Sequence, residues 1–339
     1  MKDILRLAGI ICIVATISSV TSHVLIAWLK IETSFGDHWS VDPKGAGQSA
    51  FVAGSSLAGD GISWSVVADE IGLGFEGWGV AGSSPSEWEQ FQHLTKHTHK
   101  TIFVVSAYDL NEYFISSFFA DIVPLWQTIK DIRESHVEWD FSKRLLSTYP
   151  LMTFQAVFPT AGRSFGVIGG LREHFVELFR PLFLIQSEAG PTLSFDQANS
   201  MPEYKKERIS NWSSGLKLRR LVGMRIACQG RHEFNGPKRL AFIRSLRKAS
   251  EQGHVMVVVL PVSPTYRKEF LTVEMNRELE GALDEARTSV PIARWIRLDQ
   301  ANELDTDYYF WDLVHMNLYG QEIATEAFLV RLRELKGLQ

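Results

Sequence analysis

The stretch "SAFVAGSSLAGDG", residues 49–61, decides how the chain is read. Five residues with a continuous apolar centre run into glycine, two adjacent serines and two further glycines. An apolar run bounded by such a turn is a short buried strand. The segment that follows, "DGISWSVVADEIG" (residues 60–72), has a helix start signal at Asp60, apolar residues at helical spacing and a closing glycine. A strand feeding a helix through a Ser/Gly turn is the first unit of a rhythm that recurs along the chain.

"FEGWGVAG" (75–82) predicts a second strand, and "SPSEWEQFQHLTKH" (84–97) a second helix opened by Ser84 and Pro85. "KTIFVVSAYDL" (100–110) and "HVMVVVLPV" (254–262) are further strands. The latter is continuous and β-branched, as a strand covered on both faces should be. A long helix is expected over 267–287, a last strand at "IARWIRLD" (292–299) and a closing helix over 319–335. Strands alternating with helices predict an α/β fold, a mostly parallel sheet sandwiched in three layers. Residues 112–250 break the rhythm with aromatic-rich helical segments and few strands, and predict a large, mainly helical insertion. The expected organisation is an anchor (1–30), a polar linker (31–48), a core built from 49–111 and 251–339, and the insertion at 112–250.

The anchor rests on residues 7–29, "LAGIICIVATISSVTSHVLIAWL", 23 residues without Lys, Arg, Asp or Glu. About 20 apolar residues cross a bilayer as a helix, whereas a cleaved signal core has about 7–15. Lys2 and Arg6 before the span favour a cytoplasmic N-terminus. The expectation is a single-pass inner-membrane protein with its folded part on the extracytoplasmic side. The chain of 339 residues is 45% hydrophobic with net charge −4. It has no basic stripe of the kind that binds nucleic acid. Its two cysteines, Cys12 and Cys228, provide neither a disulfide framework nor a zinc spacing. The most basic stretch, "KRLAFIRSLRK" (238–248), is expected to be a solvated helix face.

The expected first strand delivers Ser55 and Ser56 to the C-terminal edge of the sheet, where open α/β sheets bind ligands. Serine needs a base, and the base needs an orienting group. "WDLVH" supplies Asp312 and His315, three apart just before the last helix, with both side chains able to share one face of a helical turn. Taken singly, the Ser/Gly turn is equally a helix start and the Asp–His pair equally a solvated cap.

Together the two ends resemble the SGNH (GDSL-type) hydrolases, whose fold is a flavodoxin-like three-layer sandwich. "GSSL" (54–57) is similar to their first block with Ser55 in the acid's place, which implies Ser56 as nucleophile. "DLVH" followed by "MNLYG" is similar to the last block, which implies Asp312 and His315 as the catalytic pair. "GVAGSS" implies Gly82 beside the Ser56 N–H in an oxyanion hole. The third block departs: "SAYD" places Tyr108 where the family has asparagine, and Asn111 is the nearest substitute donor. The resemblance covers 50–111 and about 254–330. The anchor, the altered third block and the insertion are more similar to the membrane-anchored envelope proteins of alginate and cellulose acetylation and of teichoic-acid D-alanylation. The resemblance thus implies a cofactor-free, metal-free serine O-acyltransferase or esterase for an acylated envelope glycan or acyl donor, working beside a polytopic membrane acyltransferase. The other reading it leaves is a weakly active or inactive accessory that binds the polymer or that acyltransferase.

Two further patterns do not fit their usual chemistry. "GLGFEG" (72–77) follows a helix and precedes a strand, the reverse of a dinucleotide site. His93, His97 and His99 in "HLTKHTHK" have no acidic or cysteine partner nearby for a metal.

Overall fold

A computed structural model describes residues 37–41, 49–79, 82–91, 100–116, 119–135, 137–157 and 208–337. Residues 7–29 and the histidines at 93–99 lie outside them. Among the described residues no helix is long and apolar enough to cross a membrane. Nearly all of them belong to one unit, 35–145 with 193–339. Of a second unit, 1–34 with 146–192, only 146–157 are described.

The chain runs β1 (Asp37–Val41), β2 (Ser49–Ala53), α1 (Ser56–Gly61), α2 (Trp64–Ile71), β3 (Gly74–Gly79), α3 (Pro85–Phe91), β4 (Lys100–Val105) and a single turn α4 (Ala107–Leu110). Helices α5 (Phe119–Ile122), α6 (Leu125–Ser135), α7 (Trp139–Val157), α8 (Ser214–Ala227) and α9 (Pro237–Gln252) follow. The chain ends with β5 (His254–Val259), α10 (Pro264–Phe270), α11 (Val273–Ser289), β6 (Arg294–Arg297) and α12 (Leu318–Gly337). The fold is α/β. Six strands lie in the order β1-β3-β2-β4-β5-β6, all parallel except β1, which pairs antiparallel with β3. The five parallel strands thus follow the doubly wound order 2-1-3-4-5, which reverses direction between β2 and β4. Helices α3, α6, α9 and α11 pack together on one side, and α1, α2 and α12 on the other.

Strand β1 corrects the expectation of a linker at 31–48. Asp37–Val41 form an edge strand because β3 supplies their backbone partners, which composition does not reveal. The helix expected from Asp60 is two helices: α1 ends at Gly61, and α2 starts after Ser63, whose N–H donates to Thr325 Oγ1 (2.9 Å). The helix expected over 267–287 is likewise interrupted, because Thr272 caps α11 by accepting from Met275 N–H (3.2 Å).

The core is aromatic and β-branched. Trp64 contacts Phe75 (5.0 Å between ring centroids) and Phe328 (6.0 Å), and Phe103 meets Phe242 edge-on (6.1 Å). Helix α9 is not a solvated face. It buries Ala241, Phe242, Ile243 and Leu246, and Arg244 clamps Glu89 of α3 and Asp131 of α6 at 2.7–2.9 Å. Burial takes in Lys238, and ion pairs take in Arg239 and Arg244, whereas Arg247 is exposed as the sequence suggested.

The start of α9 carries a buried polar knot. Both Glu112 carboxylate oxygens accept the Lys238 N–H (3.0 Å each), and Lys238 Nζ donates to the carbonyls of Asn111 (2.7 Å) and Phe114 (2.5 Å). Burial pushes the Glu112 pKa up to about 7, against the pull of Lys238 and the α9 N–H groups. Removing the ammonium leaves the carbonyls of buried Asn111 and half-buried Phe114 without their donor while the main-chain N–H bonds to Glu112 remain. That costs about 2–6 kcal/mol for the two carbonyls. Lys238→Met is therefore expected to destabilise the domain by about that amount, measured by urea unfolding. A loss below about 1 kcal/mol would show that the knot contributes little.

Candidate active site

The strand order reverses between β2 and β4, and open α/β sheets bind ligands outside the C-terminal ends of the strands at such a point. Strand β2 passes through Gly54 into α1. A β-carbon at Gly54 would lie 2.6 Å from Ala58 Cβ and 3.0 Å from the Val104 carbonyl, so the close approach of β2 to β4 requires glycine here. Ser55 is the buried cap of α1, its Oγ accepting the Leu57 N–H (3.2 Å). Ser56, the first residue of α1, turns its hydroxyl outward, and Ser56 Oγ lies 2.8 Å from His315 Nε2.

His315 is positioned by a tight loop rather than a helical turn. Phe310 and Met316 form an antiparallel bridge, and Trp311 N–H donates to the His315 carbonyl (3.1 Å). Within the loop, Asp312 Oδ1 accepts the N–H groups of Val314 (2.8 Å) and His315 (2.6 Å), and Asp312 Oδ2 lies 2.8 Å from His315 Nδ1. The Trp311 ring stacks on the imidazole (5.2 Å, 20°). Buried Asn317 fixes the loop to α12. Its Nδ2 donates to the Tyr308 carbonyl (2.8 Å) and its Oδ1 accepts the Gly320 N–H (2.9 Å). A β-carbon at Gly320 would sit 2.2 Å from the Tyr309 carbonyl, which accounts for the glycine of "MNLYG".

Burial by itself would lower the His315 pKa, but the hydrogen bond and charge of Asp312 outweigh it and hold the imidazole above its ordinary value. Burial pushes Asp312 up, yet His315 and the two N–H donors hold its carboxyl below the usual range. The result is a hydroxyl, an imidazole and an ionised carboxylate in line.

The second segment meets the first through Ser83, whose Oγ donates to the Gly54 carbonyl (3.4 Å) and accepts Trp88 Nε1–H (2.9 Å). Gly82, one residue earlier, has φ +73°, a left-handed conformation that favours glycine. In the third segment Ser106 caps α4 in a capping box with Asp109. Asn111, the expected substitute donor, is buried and engaged on one side. Its Oδ1 accepts the N–H groups of Tyr113 (3.2 Å) and Glu233 (3.3 Å), and its Nδ2 is buried with no hydrogen-bond partner among the described residues. Tyr108, in the place of the family's asparagine, packs against Phe114 with the rings tilted by 53° (3.9 Å between centroids). Burial and the charges of Asp109 and Asp312 keep its hydroxyl protonated.

Asp109 is the group that sequence reasoning missed. It is buried, and Oδ2 accepts the Ser106 N–H and Oγ–H (2.9 Å each). The Ser55 hydroxyl faces the same carboxyl and favours its ionised form, but without good hydrogen-bond geometry, so Oδ1 lacks a hydrogen-bond partner among the described residues. Ser55, where the family has an acid, therefore packs against an acid brought from the third strand end. Burial raises the Asp109 pKa from 3.8 to about 6. A carboxyl whose folded pKa lies above its unfolded value holds extra protons when folded. Its stabilising contribution is complete below about 3.8 and is lost as pH rises through about 6. Asp109→Asn is expected to flatten this part of the stability profile, by on the order of 3 kcal/mol for a two-unit shift. Urea midpoints from pH 4 to 7 measure it, and parallel curves for the two proteins would disprove it.

No family model matches the chain, and no curated protein matches it either.

Proposed function

We propose that the chain is a membrane-anchored, extracytoplasmic serine acyl-transfer enzyme of the SGNH type, an O-acyltransferase or esterase for an acylated cell-envelope polysaccharide. The observation that carries this reading is the Ser56–His315–Asp312 alignment at the strand-order reversal, with hydrogen bonds of 2.8 Å on both sides of the imidazole. A serine so placed is activated by its neighbouring base, and a carboxylate fixes the base's tautomer.

In the mechanism, Ser56 Oγ attacks the acyl carbonyl as its proton passes to His315 Nε2. Asp312 stabilises the imidazolium through Nδ1–H. The N–H groups of Ser56, at the first turn of α1, and of Gly82 hold the tetrahedral oxyanion. Collapse breaks the ester bond, the departing alkoxide takes the proton from Nε2, and an acyl-Ser56 ester remains. Water or a sugar hydroxyl, deprotonated by His315, then takes the acyl group and restores the serine. Transfer is favoured where water is excluded. The segment 7–29 supports the anchored, extracytoplasmic placement.

The test is to trap the intermediate. The full chain in detergent, mixed with p-nitrophenyl acetate and quenched in acid, is expected to carry an acetyl group on the peptide containing Ser56. Hydrolysis without an adduct there, or an adduct on Ser55, would overturn the assignment. An unmodified chain that still binds an acetylated glycan would make it an accessory protein.

A further inference from the structure

Helix α8 presents three different faces. Leu221 and Met224 pack against the core, where Lys217 also approaches Asp307 (3.8 Å). One flank, with Leu216, Arg219 and Arg220, borders a cavity of about 520 Å3 whose other wall includes Asp312, Leu313 and Phe114. The outward face is apolar. Leu218, Val222 and Ile226 recur at four-residue spacing and are 63%, 46% and 72% exposed. The helix carries Lys217, Arg219, Arg220 and Arg225 and no acidic residue. Arg225 pairs at the surface with Glu269 (3.2 Å), while Arg219 and Arg220 are exposed and have no acidic partner among the described residues.

We propose that α8 docks on the anionic lipid surface of the membrane. Leu218, Val222 and Ile226 enter the headgroup–acyl boundary, and Arg219 and Arg220 lie among the lipid phosphates. Three large apolar side chains facing water on one stripe mark an interaction surface. A cationic flank beside that stripe fits a helix lying in an anionic interface, whereas a purely apolar partner would leave the arginines unmatched. The proposal rests on the reading that residues 7–29 span the bilayer. The chain between residue 29 and Asp37, where β1 begins, then reaches at most about 28 Å, so the lipid surface is close to the domain. Docking α8 brings the cavity beside Asp312 to that surface.

The test uses the full chain in vesicles, with Cys12→Ser and Leu218→Cys carrying a polarity-sensitive fluorophore. Cys228 is buried and stays unlabelled. In vesicles with about one-third phosphatidylglycerol the emission is expected to shift to the blue, and in pure phosphatidylcholine to stay water-like. Arg219→Gln with Arg220→Gln should lower the docked-to-undocked ratio about 30-fold, the effect of two basic residues at an anionic surface. Water-like emission in both lipids, from a chain that resists carbonate extraction, would refute docking while leaving the anchor intact. A blue shift that is equal in both lipids or grows with protein density would point to an apolar partner or a second copy, and would also refute it. A chain released by carbonate would refute the anchor separately. Adding that chain to the outside of the same vesicles then decides docking by the same lipid dependence.

Discussion

Replacing Ser56 by alanine is expected to reduce turnover of p-nitrophenyl acetate by about 10⁴–10⁶-fold and to abolish labelling by a fluorophosphonate probe. The residues of such an alignment act as a unit, and removal of the nucleophile leaves only binding and oxyanion stabilisation. The fold should be unaffected, because Ser56 is half-buried and among the described residues its hydroxyl bonds only His315. Ser55→Ala is the matched control. It removes the cap of α1, worth about 1 kcal/mol, but should leave labelling in place. Labelling that survives in Ser56→Ala and vanishes in Ser55→Ala would reverse the assignment of the nucleophile.

The second large effect is expected at Asp312. Asp312→Asn keeps an oxygen for the Val314 and His315 N–H groups, so the loop should hold. The new amide, however, donates towards His315 Nδ1. That places the imidazole proton on Nε2, the atom that accepts the Ser56 proton in the proposed mechanism, and a fall in kcat of about 10⁴-fold is expected. The pH profile gives a sign that misfolding cannot imitate. His315 must be neutral to act, and the Asp312 charge holds its pKa above the ordinary value against the effect of burial. With that charge removed, burial prevails and the pKa falls. The residual activity should therefore rise at lower pH in the variant than in the wild type. An acidic limb that stays in place would show that His315 is not the titrating base.

These outcomes depend on a geometry that the sequence carried only in part. The strand at "SAFVAG", the helix opened by Ser84 and Pro85, and the buried strand before "LPV" were legible because periodicity and turn chemistry are local. The Asp–His pair at 312 and 315 was legible from its short spacing, although a loop and not the expected helical turn brings the two side chains together. The interrupted helices at Gly61 and Thr272 were not, since an apolar period continues across a break that only a cap and a tertiary contact impose. Strand β1 was hidden because an edge strand of five residues owes its existence to hydrogen bonds from β3.

The sequence by itself determined an alternating α/β chain, serines at the end of its first parallel strand, and an Asp–His pair ahead of its last helix. The resemblance already pointed to Ser56 over Ser55, and the tertiary structure supplies the physical reason. Strand order brings residues 259 positions apart within hydrogen-bond distance, and the start of α1 turns Ser56 outward and Ser55 inward. It also bound Asn111 Oδ1 to the Glu233 N–H and set Asp109 against Ser55. The reason is that residue types and their spacing record what each segment can do locally. Burial, charge and the pKa values of the site belong to pairs of groups that only the sheet brings together.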